Sequence, residues 1–263
     1  MIKIIPKKNN LAAEIFCNLK KINSKDIQKI KSSLLKYGII YFRNQKLSSS
    51  EYLTFSKNFG KPALYPRLKG LSKKFPEITV VQRKKNDKGP SFGEQFHTDS
   101  SYTKEPPRFT MLLSKIVPKK GLANTEFASQ YLAYQDLPIK IKKQIKSLKG
   151  IFSSNGPIAI TTIERTKEKG KLKKELISQH RIVKSINRKK SIYFSPGHFI
   201  GFVKNFKNSD KLKKFLINHQ IKKKFQYSLE WEKNQLAIWD NRSMLHQATP
   251  FKGERIMHRI TIK

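Results

Sequence analysis

Residues 96–102 read FHTDSSY, so one residue separates His97 from Asp99. In an extended chain alternate side chains share a face, which predicts that the imidazole of His97 and the carboxylate of Asp99 converge on one small volume while Thr98 points away. Alone the pattern is weak, since a histidine beside an aspartate is more often a hydrogen-bonded pair. A second imidazole comes near the C-terminus, where 236–263 reads LAIWDNRSMLHQATPFKGERIMHRITIK. Here His246 follows an apolar strand and the turn Asp240, Asn241, Arg242. Two histidines and one carboxylate form a facial triad, which leaves three coordination positions open and favours non-haem Fe(II). An open face is what a bidentate co-substrate and dioxygen need if both are to bind.

The last strand carries a separate signal. By alternation Arg255, Met257, Arg259 and Thr261 share one face, and Ile256, His258, Ile260 and Ile262 the other. Two arginines on one face of a strand that otherwise reads as buried are costly unless paired. If that face looks into a barrel, each guanidinium must meet an anion, and a carboxylate gripped in a two-bond fork is the natural partner. If instead both side chains reach solvent at the strand ends, they carry no such message. His258 points away from the arginines and reads as structural. His180 and His198 flank an expected strand and read as surface residues, with His198 the nearer to a pocket. His219, in a lysine-rich helix end, reads as solvated. Phe96, Tyr102, Phe127 and Trp239 are core or cavity wall.

These residues need strands to present them, and the sequence supplies strands at the centre with helices outside. Ser24 can cap a helix whose Ile27, Ile30 and Leu34 fall three and four apart, ahead of a buried strand over Gly38–Phe42. Ser48 and Glu51 form a capping box for a helix that presents Tyr52, Phe55 and Phe59 and stops at Gly60. Strand-like runs follow at Ile78–Gln82, Phe109–Ile116, Ser191–Ser195, Leu236–Trp239 and Ile256–Ile262. Helical stretches fall near Phe127–Tyr134, Ile139–Leu148 and Leu212–Ile217. Within the less legible Ile163–Lys190, the charged run Arg165–Glu175 reads as an exposed excursion, either a lid or a plain solvated loop.

The 263 residues hold 56 Lys and Arg against 18 Asp and Glu, a net charge of +38. Hydrophobic residues make up 37% and aromatics 11%, enough for a sizeable core and too apolar for a disordered polycation. With no repeat and no linker, one domain over 1–263 is the economical reading. No apolar run approaches the ~18 residues of a spanning helix, so no membrane partner is expected. The single Cys17 suits a reducing compartment, and a cytoplasmic protein is expected. Lysines are spread over almost every segment instead of forming one stripe with exposed aromatics. That argues for a solvated basic face with weak, non-specific polyanion binding over a specific nucleic-acid footprint. Nothing in the composition separates a monomer from a homo-oligomer.

FHTDSSY, the pair Pro106 and Pro107, Gly121–Phe127 (GLANTEF), WDNRSMLH and RIMHRITI, in that order, closely resemble the taurine dioxygenase and 2,4-dichlorophenoxyacetate dioxygenase (TauD/TfdA) family. The run GIIYFRNQKLSSSEYLTFSKNFGK at Gly38–Lys61 resembles that family's opening, and the likeness is weakest over Ile158–Lys190. The resemblance implies a mainly β fold with flanking helices, built on a double-stranded β-helix (jelly roll). It implies an Fe(II)-dependent enzyme that uses 2-oxoglutarate and O2 as co-substrates, hydroxylates a small anionic organic molecule, and releases succinate and CO2. Residue by residue, His97, Asp99 and His246 match the iron ligands. Arg255 and Thr125 match the residues that hold the distal carboxylate of 2-oxoglutarate, and Arg259 matches an arginine facing an anionic substrate. Two departures stand out. Lys61 to Tyr65 occupy the stretch where taurine-specific members have a histidine, and no histidine precedes His97, which argues against taurine. The family's GGDT reads Leu122, Ala123, Asn124 and Thr125 here, so the loop glycines are lost while the hydroxyl of Thr125 is kept. Two other readings remain: the same chemistry on a nucleic acid or other macromolecule, and a non-catalytic polyanion-binding protein, which the intact triad disfavours.

Overall fold

The computed structural model describes residues 2–161, 167–168, 171–186 and 188–263. Its frame is a nine-stranded sheet in the order Lys3–Lys7, Ala12–Phe16, Ile39–Phe42, Leu236–Asp240, Phe109–Ile116, Arg255–Ile262, Phe75–Arg83, Gly70–Ser72, with Pro62–Ala63 also paired to Arg255–Ile262. Ala12–Phe16 and Ile39–Phe42 run parallel, and the other neighbours are antiparallel. The central strands read as continuous apolar runs because both of their faces are covered. Ile40, Phe42, Met111, Leu113, Leu236 and Ile238 pack one face against the helices Ser24–Tyr37 and Ser49–Lys57. The alternate residues Ile39, Tyr41, Leu112, Ala237 and Trp239 pack the other face with Phe127, Leu229 and Met244 of a second, three-stranded sheet.

That second sheet runs Gln226–Leu229, Thr125–Ser129, Met244–Ala248. A further three-stranded sheet joins Ile177–Arg181, Lys149–Ser153 and Phe199–Phe202, and Val183–Ile186 pairs with Lys189–Ile192. The helices Gln130–Gln135, Ile139–Ile145 and Ser209–Gln220 cover this side around Leu137, Phe152, Phe194 and Leu216. Two layers of strands with helices outside is the architecture expected of the jelly roll, and the space between the layers is where the chemistry sits.

Local detail corrects several expectations. The first helix is capped by Asn23, whose Oδ1 accepts from the Asp26 N–H at 2.9 Å, and Ser24 is already helical. Gly38 ends it at φ 76°, a left-handed turn that a side chain would oppose. The Ser48 and Glu51 capping box forms as read. Phe127–Ser129, the start of the expected helix Phe127–Tyr134, is strand, because Thr125–Ser129 is the central strand of the second sheet; the helix begins only at Gln130. The run expected to be extended over Ser191–Ser195 pairs only as far as Ile192. His219 is buried, not solvated, with Nε2 at 2.8 Å from the Ala133 carbonyl. Of the expected excursion Arg165–Glu175, residues 165–166 and 169–170 lie outside the described residues. Lys167–Glu168 and Lys171–Leu172 form a short antiparallel ladder. Among the described residues no helix is long and apolar enough to cross a membrane.

Candidate metal centre

His246 lies on the strand Met244–Ala248, and a two-residue antiparallel bridge clips His97 to it. The His97 N–H donates to the His246 carbonyl at 3.0 Å, and the His246 N–H returns a bond at 2.9 Å. Side chains opposite each other in such a bridge stand together, and the two imidazole centroids are 4.2 Å apart. After His97 the chain turns instead of continuing as a strand, with Ser100 at φ 48°. Asp99 therefore arrives by the turn, not by the strand alternation the sequence suggested. Its Oδ1 is 3.8 Å from His97 Nε2 and 3.9 Å from His246 Nε2. All three residues are buried, and their donor atoms lie within 4.8 Å of one another.

Each donor is oriented by a neighbour. His97 Nδ1 donates to the Gln95 carbonyl at 2.7 Å, which leaves the Nε2 lone pair directed at the cluster. Asp99 Oδ2 accepts from the Thr110 hydroxyl at 2.6 Å, Thr110 accepts from Asn241 Nδ2 at 2.8 Å, and Asn241 Oδ1 accepts from Trp239 Nε1 at 3.0 Å. That chain holds Oδ2 and leaves Oδ1 facing the two imidazoles. His246 is fixed by rings, with Trp239 at 4.7 Å and Phe127 at 6.0 Å, while its Nδ1 is buried without a partner among the described residues. Gly93, at φ 83°, lies against the His97 ring: a Cβ there would stand 3.2 Å from Cε1.

The electrostatics suit a cation. Burial pushes the His97 imidazole below its ordinary value and, with His97 nearby, His246 further still, so both are neutral and keep a lone pair to donate. Burial alone would raise the Asp99 carboxyl. Arg259 foremost, with the Thr110 hydroxyl behind it, offsets that and holds the carboxyl below the usual carboxylate range. One anionic oxygen and two neutral imidazole nitrogens, each with its other face engaged by bonds or rings, are a donor set that fits a non-haem ferrous ion.

The triad shares a cavity with Thr125, Trp239, Arg255, Arg259 and the apolar Val81, Leu112 and Met257. Arg255 and Arg259 are 8% and 4% exposed, so neither reaches solvent at a strand end. Arg255 has no acidic partner among the described residues, and its Nε is buried without an acceptor. It stands over the Trp231 ring at 5.7 Å, and burial pushes it down to about 10, so it is still charged at neutral pH. The Thr125 hydroxyl oxygen accepts from Trp231 Nε1 at 2.9 Å and lies 3.5 Å from Arg255 Nη2. Its hydrogen is left to donate into the cavity.

Arg259 takes a different position. Its Nη1 is 3.6 Å from Asp99 Oδ1 and its guanidinium lies 4.0 Å from the Tyr65 ring centroid, with Nε and Nη2 unpartnered among the described residues. Beyond the triad a second chamber is lined by Tyr65, Arg67, Tyr102, Ser154, Ile158 and His198, among others. His198, read as a surface residue, is buried, with Nδ1 at 2.9 Å from Ser101 Oγ and 3.3 Å from Ser195 Oγ. Thr110, Asn241, Trp231, Tyr65 and Arg67 were not singled out from the sequence. A hydroxyl inside the apolar run FTMLL was the one visible signal, and it pointed to Thr110.

Comparison with known proteins supplies the lineage. The model of the family described as taurine catabolism dioxygenase TauD, TfdA family matches residues 6–261. The chain belongs to that family. As a TauD/TfdA protein it is an enzyme, a dioxygenase dependent on Fe(II) and 2-oxoglutarate, with O2 as the second co-substrate. An alkylsulfatase of Acinetobacter baylyi is 27% identical over 257 residues, covering 92% of this chain and 78% of that protein. An alpha-ketoglutarate-dependent sulfate ester dioxygenase of Pseudomonas putida is 22% identical over 256 residues, covering 92% and 82%. Among solved structures, a taurine dioxygenase from Burkholderia xenovorans superposes with a TM-score of 0.82 at 23% identity over 99% of this chain and 89% of that one. At that identity the likeness speaks for the fold alone, which is the jelly roll.

Proposed function

We propose that His97, Asp99 and His246 hold the ferrous ion, that Arg255 and Thr125 grip the far carboxylate of 2-oxoglutarate, and that the substrate is a small organic anion of the sulfate ester, sulfonate or carboxylate type. The observation that carries this reading is Arg255: a buried guanidinium without an acidic partner among the described residues, in the same cavity as the triad. Such a cation is stable only if a ligand brings the anion. A dicarboxylate reaching from the triad to Arg255 answers both ends of the cavity.

The bound ion and its co-substrate would supply the oxygen activation that no side chain can. The protein's own residues do the rest. Thr110 and Gln95 aim Asp99 and His97. Arg255, backed by the Trp231 ring, and the Thr125 hydroxyl orient the co-substrate by two independent contacts. Val81, Leu112 and Met257 keep water from the space between. Arg259, between triad and chamber, balances Asp99 and turns unpartnered nitrogens toward an anionic substrate. The names of the two relatives, an alkylsulfatase and a sulfate ester dioxygenase, favour an anion over a neutral substrate. The whole chain, 1–263, serves as one domain. The lone Cys17 accords with a cytoplasmic setting, and the dispersed lysines accord with a solvated face that binds polyanions weakly.

The test is uncoupled succinate release from Fe(II), O2 and 2-oxoglutarate. Arg255→Gln should raise the KM for 2-oxoglutarate by an amount on the order of 2 to 5 kcal/mol, with iron content unchanged. An unaltered KM would remove the assignment.

A further inference from the structure

Arg83 stands directly opposite Arg255 in the antiparallel register of the last strand, so two guanidiniums leave the sheet side by side on one face. Like charges so placed repel each other, and here an aromatic ring lies beside both. The Phe251 ring centroid is 5.6 Å from the guanidinium carbon of Arg83 and 5.9 Å from that of Arg255. Arg255 lines the triad cavity, whereas Arg83 and Phe251 line a separate, open cup of about 780 Å³. The bonds of Arg83 go to neutral oxygens, the carbonyls of Gly89 and Asp87 and the hydroxyl of Ser91, which leave its charge uncancelled. Lys85, Lys88 and Lys252 border the same cup. Its two carboxylates, Asp87 and Glu94, accept from the backbone N–H groups of Lys84 and Ser91, so the four cations outnumber the anions.

The inner cavity is tight. It holds about 50 Å³, far below the ~300 to 1,000 Å³ of a small-molecule site, so a wall must yield before a dicarboxylate reaches Arg255. Val81, Leu112, Trp239 and Met257 stand on paired strands and are fixed. Phe251 lies in the irregular segment 249–254, where Gly253 takes φ 114°, and it is free to swing with that segment.

We infer that the outer cup is the docking site at which 2-oxoglutarate is first captured, that Arg83 is the cation that captures it, and that the Phe251 ring is the door through which the dicarboxylate passes to Arg255. The inference rests on the assignment of Arg255 to the far carboxylate and adds the way in. A cleft rich in one sign of charge concentrates the opposite ion and speeds its association. The ring is held shut by its attraction to both arginines, and a carboxylate arriving at Arg83 competes for one of them.

The experiment reads rates. Trp231 and Trp239 are the two tryptophans of the chain, one beside Arg255 and one lining the triad cavity, so their fluorescence reports arrival of the co-substrate. Anaerobic, Fe(II)-loaded protein is mixed with 2-oxoglutarate in a stopped-flow instrument at several salt concentrations. Arg83→Gln should slow association about three- to tenfold at low salt and leave dissociation within about twofold, whereas Arg83→Lys should keep most of the rate. The difference should close near 1 M salt, where the screening length falls to about 3 Å. Joint replacement of Lys85, Lys88 and Lys252 by glutamine leaves every bond of Arg83 in place and should also slow association. Phe251→Ala should raise the dissociation rate on the order of tenfold without slowing association, and Phe251→Tyr should stay near wild type. Wild-type association and salt dependence in Arg83→Gln and in the triple lysine variant overturn the docking site, and unchanged dissociation in Phe251→Ala overturns the door. Failure of the wild type to bind 2-oxoglutarate at equilibrium removes the assignment of Arg255 and the route with it, whereas binding with unchanged rates in the variants removes the route alone.

Discussion

Replacing Thr110 by valine removes one hydroxyl from the interior and tests whether the polar chain behind Asp99 prepares the metal site. The hydroxyl donates to Asp99 Oδ2 at 2.6 Å and accepts from Asn241 Nδ2 at 2.8 Å. Valine is close to threonine in shape, so packing is preserved while both bonds vanish. The bond to a carboxylate is charge-assisted and worth about 1.5 to 3 kcal/mol, and the stranded Asn241 amide adds a desolvation cost of about 1 to 3 kcal/mol. Partners behind a metal ligand typically change affinity by about 10- to 100-fold. Thr110→Val should therefore weaken Fe(II) binding by that factor and lower the unfolding midpoint, while Thr110→Ser, which keeps the hydroxyl, should restore most of both. The assay is anaerobic calorimetric titration with Fe(II), paired with thermal unfolding of the apoprotein. A valine variant that binds iron within about twofold of wild type would show that Asp99 needs no such support.

Further expectations concern the co-substrate end and the fold. Trp231→Phe keeps a ring under Arg255 but loses the 2.9 Å bond to Thr125, so steady-state kinetics should show the KM for 2-oxoglutarate rising several-fold, about 1 kcal/mol, with kcat nearly unmoved. Lys184 is held over the Tyr193 ring, and burial, then the charge of Arg242, push it down to about 8 from 10.5. Because its folded pKa lies below the unfolded one, the charged lysine costs stability below pH 8, and the cost is relieved as pH rises from 8 towards 10.5. Lys184→Met should accordingly stabilise the protein at pH 7 by about 1 to 3 kcal/mol and flatten the rise in unfolding midpoint across that window. Thermal denaturation at several pH values checks both.

Much of this site could be read in the sequence because its residues obey short rules. Arg255 and Arg259 sit four apart on a strand whose alternation is strict, and the structure turns both inward. The capping box at Ser48 and the apolar runs at Phe109 and Leu236 gave their elements for the same reason. What escaped depends on contacts between distant segments. Phe127–Ser129 looks helical on its own and is strand because Thr125–Ser129 has a partner on each side. His97 and Asp99 converge through a bridge to His246 and a turn at Ser100, which no local period encodes. His198 reads as a surface residue near a pocket and His219 as solvated in a lysine-rich helix end, yet tertiary packing buries both.

The central claim is that one ferrous ion is held by two imidazoles and one carboxylate drawn from separate parts of the chain. Anaerobic equilibrium dialysis against Fe(II), followed by elemental analysis, tests it directly. Wild-type protein should retain one iron per chain, and His97→Ala, Asp99→Ala and His246→Ala should each lose it at the same free metal concentration while remaining folded by circular dichroism. Retention of stoichiometric iron by folded His246→Ala and Asp99→Ala proteins would contradict the account.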